Sequence, residues 1–190
     1  MNESNTPTQE LESPVVVEPA TAADAEAVLN VQRLTWLDTY PNEEAGITRE
    51  DIRVRVEGEH GELIPQKIER WKKGIESTDG SRKVFVARVD GKVAGFAAPG
   101  FIDGQRRIGA IYVLPEAQGK GVGSSLMQQA LTWHEHDEDV YLHVASYNNS
   151  AIDFYKRFGF KETGKDVTDD AAKLKGDKEI PEIEMVLKAT

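Results

Sequence analysis

Apolar positions along the chain alternate between a period of two and a period of three to four, and each change of period marks an element. Val15-Val16-Val17 is a short β-branched run ending at Pro19, which reads as a strand. Thr21-x-x-Asp24 has the pattern of a capping box ahead of Ala27, Val31 and Leu34 at helical spacing. Thr48-x-x-Asp51 repeats that signal, although Ile52, Val54 and Val56 alternate with Arg53 and Arg55 as strand positions do; the cap favours a short helix. Ile64, Ile68, Trp71 and Ile75 trace one apolar stripe of a helix running to about Glu76, and Gly80 closes it off.

The next stretch returns to strand signals. Lys83–Val89 and Lys92–Ala98 flank Asp90-Gly91, a strong hairpin signal, and Ile108–Leu114 is a further strand. Val122, Leu126, Ala130 and Trp133 give the following helix a stripe that can face a sheet. Val140–Ala145 reads as a strand, and a helix from Asn149 runs through Phe154, Tyr155 and Phe158 to Gly159, a residue suited to the position just past a helix end. Phe160 re-enters the core, a charged loop spans Lys165 to Lys178, and Ile183–Leu187 is the last strand. The order β-α-α-β-β-β-α-β-α-β-β predicts an α/β protein, a three-layer α/β/α arrangement around a central mixed, mostly antiparallel sheet.

A chain of 190 residues accommodates one domain with a sizeable core. Met1 to Ser13 hold few large aliphatic residues, so residues 1–13 are expected to form a disordered tail and residues 14–190 a single domain. No apolar run approaches the length of a membrane span, and the N-terminus lacks the basic and apolar regions of a secretory signal. The expectation is a soluble, cytoplasmic protein without a membrane partner. The absence of cysteine excludes disulfides, a thiolate nucleophile and cysteine-held zinc or iron–sulfur sites. A net charge of −10 argues against a nucleic-acid partner and leans toward a cationic ligand, although an acidic surface also serves solubility alone.

Candidate chemistry begins at Gln118-Gly119-Lys120-Gly121-Val122-Gly123, between the apolar run Ile111-Tyr112-Val113-Leu114-Pro115 and a helical pattern. Glycines let a ligand approach the backbone, and the first N–H groups of a helix have no intrahelical partner, so such a turn can hold a phosphate. Glycines also serve ordinary turns, and the sequence lacks the Lys-Ser/Thr ending of a nucleotide-binding P-loop. Downstream stands Asn148-x-x-Ala151-x-x-x-Tyr155-x-x-x-Gly159-Phe160. The hairpin, the strand ending before the glycine turn and this Asn–Tyr motif occur in the order of the GNAT superfamily of acetyl-CoA-dependent N-acetyltransferases, which the chain resembles from about Lys83 to Phe160. The closing strand Ile183–Leu187 is similar to the family's last strand.

That resemblance implies the acyl-CoA N-acyltransferase fold, acetyl-CoA as co-substrate without a metal, and transfer by direct attack of a primary amine in a ternary complex. It implies a pyrophosphate cradle at Gln118, Gly119, Lys120, Gly121, Val122, Gly123 and Ser124. It also implies a splayed, bulged strand at Ile111, Tyr112 and Val113 that pairs with the pantetheine arm and offers a backbone N–H to the thioester oxygen. Asn148 would bond the cofactor, while its residue type equally suits a helix N-cap. Tyr155 would protonate the departing thiolate; on residues alone it is also a core tyrosine beside Phe154 and Phe158.

Many relatives carry a glutamate on the strand before the glycine turn, where this chain has Arg106-Arg107-Ile108-Gly109-Ala110. His143, on the strand face opposite Leu142 and Val144, is the candidate general base, with water as the alternative. Trp36, Tyr40 and Glu43-Glu44 fall in the segment that forms the acceptor wall in that superfamily, and Tyr112 and Tyr147 flank the thioester position. Trp36 also suits a core position. His134-Glu135-His136 lacks the spacing for two ligands on one helix face and reads as a solvated helix end. The leading expectation is a small-molecule amine acceptor, small and cationic, with a protein N-terminus or lysine, or a non-catalytic acyl-CoA sensor, as alternatives. A homodimer is common in that superfamily and has no apolar signature here.

Overall fold

The computed structural model describes residues 14–135, 137–167, 172–176 and 178–189; the tail at 1–13 and His136 lie outside them. Seven strands, β1 (Val16–Pro19), β2 (Phe85–Val89), β3 (Lys92–Ile102), β4 (Gln105–Val113), β5 (Val140–Ala145), β6 (Lys161–Val167) and β7 (Glu182–Leu187), form one sheet in the order β1-β2-β3-β4-β5-β7-β6. Every neighbouring pair is antiparallel except β4 with β5. Five helices accompany them: α1 (Ala25–Thr39), α2 (Arg49–Glu57), α3 (Ile64–Glu76), α4 (Val122–His134) and α5 (Asn149–Arg157).

Strand alternation sorts the side chains into two faces. Phe85, Ala87, Ile108, Leu142 and Val144 turn toward α4 and α5, where they meet Leu126, Met127, Ala130 and Ile152. Val84, Val86, Phe96 and Ala98 turn the other way, against Val28 and Val31 of α1 and Trp71 and Ile75 of α3. This is the three-layer α/β/α arrangement. Leu126 is fully buried between α4 and the sheet, so its truncation to alanine would cost about 2–5 kcal/mol.

Both N-terminal capping boxes form. Thr21 and Asp24 close the entry to α1 through a short 3-10 turn, and the Thr48 hydroxyl accepts from the Asp51 N–H at the start of α2. The cap at Thr48 therefore prevails over the strand-like alternation of Ile52, Val54 and Val56. The N-terminal region holds the three helices marked by the caps at Thr21 and Thr48 and by the stripe of Ile64, Ile68, Trp71 and Ile75. A second hairpin was also not anticipated: Asp103-Gly104 turns β3 into β4 with positive φ at both residues, as Asp90-Gly91 does between β2 and β3. Pro99 hides this extension of β3, because prolines seldom occupy central strands; here Pro99 sits at a register shift between Ala97 and Pro99. β6 continues to Val167, past the Lys165 at which the charged loop was expected to begin.

Candidate active site

Two features open the sheet beside α4. β4 carries two residues, Gly109 and Ala110, where β3 carries one, since the register runs Ala97↔Ile111 and then Pro99↔Ile108. The resemblance placed a bulge at Ile111-Tyr112-Val113; the bulge lies just upstream, at Gly109 and Ala110. β4 and β5 pair only at Arg106↔Val140 and Arg107↔Tyr141, and then part. The Leu114 N–H bonds the Ala94 carbonyl, so by alternation the N–H groups of Val113 and Ile111 point to the opposite edge, into the gap left by β5. The Gln118 side chain donates to the Val113 carbonyl at 3.3 Å on that edge.

At the end of β4 the chain makes the glycine turn. Gly119 and Gly121 have φ of 75° and 79°, and a side chain added to either would point into open space. Gly121 caps α4, and the Ser125 N–H is the first to find an intrahelical carbonyl, that of Gly121. The preceding N–H groups of Val122, Gly123 and Ser124 are thus free of helical partners, as an anion site at a helix N-terminus requires.

A cleft of about 1340 Å³ runs from this turn through the gap between β4 and β5 to the far face of the sheet. Of the residues singled out from sequence for cofactor contacts, Ile111, Tyr112, Val113, Gln118, Gly119, Gly121, Gly123, Ser124 and Asn148 line it. Lys120 is exposed outside the lining, and the Val122 side chain is buried in the core. Asn148 caps α5, its side-chain oxygen accepting from the Ala151 N–H at 3.2 Å, so the cap engages the amide oxygen and not its NH₂. Tyr155 is both a core residue, 8% exposed and packed on Phe154 and Phe160, and a lining residue. Burial, with Tyr112 and Glu182 adding to it, pushes its phenol well above the usual value, so it stays protonated.

The middle of the cleft is aromatic. Trp36 stacks edge-on against Tyr40 at 5.0 Å, the Tyr40 and Tyr112 hydroxyls are 3.1 Å apart, and the Tyr147 hydroxyl donates to the Tyr40 carbonyl at 2.8 Å. Burial raises the phenols of Tyr40 and Tyr112, and pushes Tyr147 up to about 12. Glu182, the first residue of β7, is opposite Ala145 and adds to the rise at Tyr40, Tyr112, Tyr147 and Tyr155. It is a half-buried carboxylate lining the cleft, and sequence reading missed it; extending the β7 alternation back by one position would have placed it on the His143 face.

His143 lines the cleft on the face opposite Leu142 and Val144. Its Nε2 lies 2.9 Å from Arg107 Nη1 and 3.7 Å from Glu184 Oε2. A guanidinium has only donors, so the imidazole nitrogen facing it accepts. Glu184 is buried; that burial would raise its carboxyl, but Lys165, Thr163 and His143 outweigh it and hold the carboxyl below its usual value.

Two expectations change. His134 is not solvated: it is 1% exposed, with Nε2 3.0 Å from the Arg107 carbonyl, because the last turn of α4 packs on β4. Glu43 and Glu44 sit on an exposed turn between the bridged residues Asn42 and Ile47 and do not line the cleft. Arg70, Arg82 and Arg157 do line it, the last over the Phe154 ring near the glycine turn, and none had a sequence signal beyond its charge. Among the described residues no cluster of three metal-ligating side chains occurs, and no helix is long and apolar enough to cross a membrane.

The sequence profile of the acetyltransferase (GNAT) family matches residues 28–160, from α1 through the glycine turn to Phe160. An N-alpha-acetyltransferase of Sulfurisphaera tokodaii is 36% identical over 93 residues, covering 41% of this chain and 56% of that protein. A streptothricin acetyltransferase of Streptomyces lavendulae is 37% identical over 98 residues, covering 49% of this chain and 52% of that protein. The chain thus spans about half the length of these curated relatives. Among solved structures, the PaiA N-acetyltransferase from Thermoplasma acidophilum in complex with coenzyme A superposes with a TM-score of 0.68 at 20% identity, over 92% of this chain and 99% of that one. At that identity the likeness shows the fold.

Proposed function

The chain belongs to the GNAT acetyltransferase family, and on that premise we propose that it transfers an acetyl group from acetyl-CoA to the primary amine of a small molecule. The observation that carries this reading is the single cleft that joins the glycine turn to Tyr155 and continues into the aromatic and acidic pocket behind the sheet.

The residues present fit acetyl-CoA. The unpartnered N–H groups at the start of α4, with Gly119 and Gly121 leaving open space before them, suit a pyrophosphate, and Arg157 at the rim suits its charge. The free edge of β4 at Ile111 and Val113 suits an extended amide-bearing arm, which would add itself as a strand. Bound there, acetyl-CoA supplies an activated acetyl thioester. Every other task falls to the chain. The Val113 N–H donates toward the carbonyl oxygen as negative charge builds there. The Asn148 amide NH₂ holds the arm, its oxygen being engaged in the α5 cap. Tyr155, kept protonated by burial, gives its proton to the departing sulfur.

On the acceptor side, Trp36, Tyr40 and Tyr147 wall the pocket, and the Glu182 carboxylate attracts the amine as its ammonium and takes up its proton through water. The Nε2 of His143 already accepts from Arg107, so we assign His143 to holding the solvent path rather than to abstracting the proton. An acceptor of small size suits this end of the cleft, which is walled by Trp36 and Thr39 of α1 and by Arg70 and Trp71 of α3.

The reading is tested by thiol release from acetyl-CoA across polyamines, amino sugars, amino acids and short peptides. Release that depends on a small amine is the expected result. Tight binding of CoA without acceptor-dependent release would favour a sensor, and release with peptides alone would move the acceptor to a protein amine.

A further inference from the structure

The acceptor end of the cleft contains a group of cations in a protein whose net charge is −10. Lys67, Arg70 and Trp71 share one face of α3 at i, i+3 and i+4 spacing, and Arg70 and Trp71 line the cleft. Arg82 lines it from the segment before β2. Its backbone is bridged to Gly100, and its guanidinium lies over the Trp71 ring, 5.6 Å from the centroid.

Among the described residues no carboxylate comes within ion-pair distance of Lys67, Arg70 or Arg82, whereas Arg53, Arg88 and Arg106 elsewhere in the chain all have such partners. Asp79, the carboxylate felt by Arg82, instead accepts from the Ser81 N–H and hydroxyl at 2.8 and 2.6 Å. Burial, reinforced by Arg55 and Arg70, lowers Lys67 to about 8, and burial with Arg70 lowers Arg82, so the group is held together against its own repulsion. Cations gathered and partly desolvated without counter-charge are stabilised by an anion that enters between them.

Resting on the amine-acetylating reading of the same cleft, we propose that Arg70 and Arg82, backed by Lys67, bind an oxyanion on the acceptor, so that the substrate is a primary amine carrying a carboxylate or phosphonate. Glu182 at the inner end and the cations at the outer end give the pocket a polarity that matches a zwitterion. The expectation of a small, cationic acceptor drew on net charge and on Glu43-Glu44, and these two carboxylates stand outside the cleft.

The experiment compares kcat/KM for thiol release with glycine, aminomethylphosphonate and glycinamide in the wild type, R70Q and R82Q. The anionic acceptors are expected to exceed glycinamide by about tenfold or more, and each substitution to bring that ratio toward one. R70Q is the decisive variant because Arg70 is exposed and its replacement leaves the core intact, whereas Arg82 packs on Trp71. Equal values for glycine and glycinamide in the wild type, or a ratio that R70Q leaves unchanged, would overturn the proposal. If no amine releases thiol, the transfer reading fails on its own. The anion site is then judged by titrating aminomethylphosphonate onto the CoA-saturated protein: binding that R70Q weakens about tenfold supports it, and absent or unaltered binding overturns it.

Discussion

Arg107 donates to His143 across 2.9 Å, on the one stretch of β4 that still pairs with β5. The contact joins the strands just before they part, and it occupies the imidazole nitrogen that a general base would need. Replacing His143 by Gln, which can also accept from Arg107, is therefore expected to lower kcat by less than about tenfold. Replacing Glu182 by Gln should cost about 10²–10⁴ in kcat, the usual range for loss of proton transfer. Steady-state rates for the two variants compare the assignments directly, and the opposite ranking would return the base to His143.

A substitution in the glycine turn tests the proposed cofactor cradle apart from the acceptor pocket. Gly121→Ala places a side chain in open space at φ 79°, so the folded state bears a backbone cost of about 1–2 kcal/mol without a clash. The new methyl group projects into the open space beside the proposed cradle. Calorimetric titration should show CoA affinity reduced by about tenfold or more, while KM for the amine changes little.

Asp24 links the entry of α1 to β2. Its carboxylate accepts from the Thr21 N–H and hydroxyl at 2.9 Å and from Arg88 at 2.6 Å. Burial pushes its carboxyl up, but these bonds outweigh burial and hold it below the usual value. A depressed carboxyl stabilises the fold above the unfolded value of about 3.9 and loses that contribution as pH falls through the folded value. Asp24→Ala should destabilise the protein by about 1–3 kcal/mol at neutral pH, and denaturant melts should show the gap narrowing below about pH 4.

Lys67 gives the opposite sign. Its folded value of about 8 lies below the unfolded value of about 10.4, so its charge burdens the native state below pH 8, and the burden is relieved as pH rises between the two. Binding of an anionic acceptor should weaken as pH rises through 8, where Lys67, with Arg55 and Arg70 bearing on it, loses its charge. Lys67→Gln should flatten that profile in a titration with aminomethylphosphonate from pH 7 to 9.

Many elements of the fold were legible from local signals, since Asp90-Gly91, the capping boxes at Thr21 and Thr48, and the α3 stripe of Ile64, Ile68, Trp71 and Ile75 each specify an element within a few residues. The second hairpin was hidden by Pro99, whose missing donor ordinarily disqualifies a strand. The half of the cleft at the glycine turn is lined by contiguous motifs, so the place of Gly119, Gly121, Asn148 and Tyr155 in it was readable. Its acceptor half is assembled from α1, α3, the segment at Arg82, β5 and β7. Glu182 and Arg70 acquire a shared cavity only after the sheet is paired, and no spacing within the chain announces that.

Tyr155 is where the two halves meet, and replacing it by Phe tests the account most directly. Tyr155 borders the cleft while its ring packs in the core, so Phe preserves the packing and removes only the hydroxyl proposed as proton donor. Thiol release with the best amine acceptor and calorimetric CoA binding, measured side by side, are predicted to show kcat lower by about 10²–10⁴ with CoA affinity unchanged. Undiminished turnover in Tyr155→Phe, with the same affinity, would contradict the account.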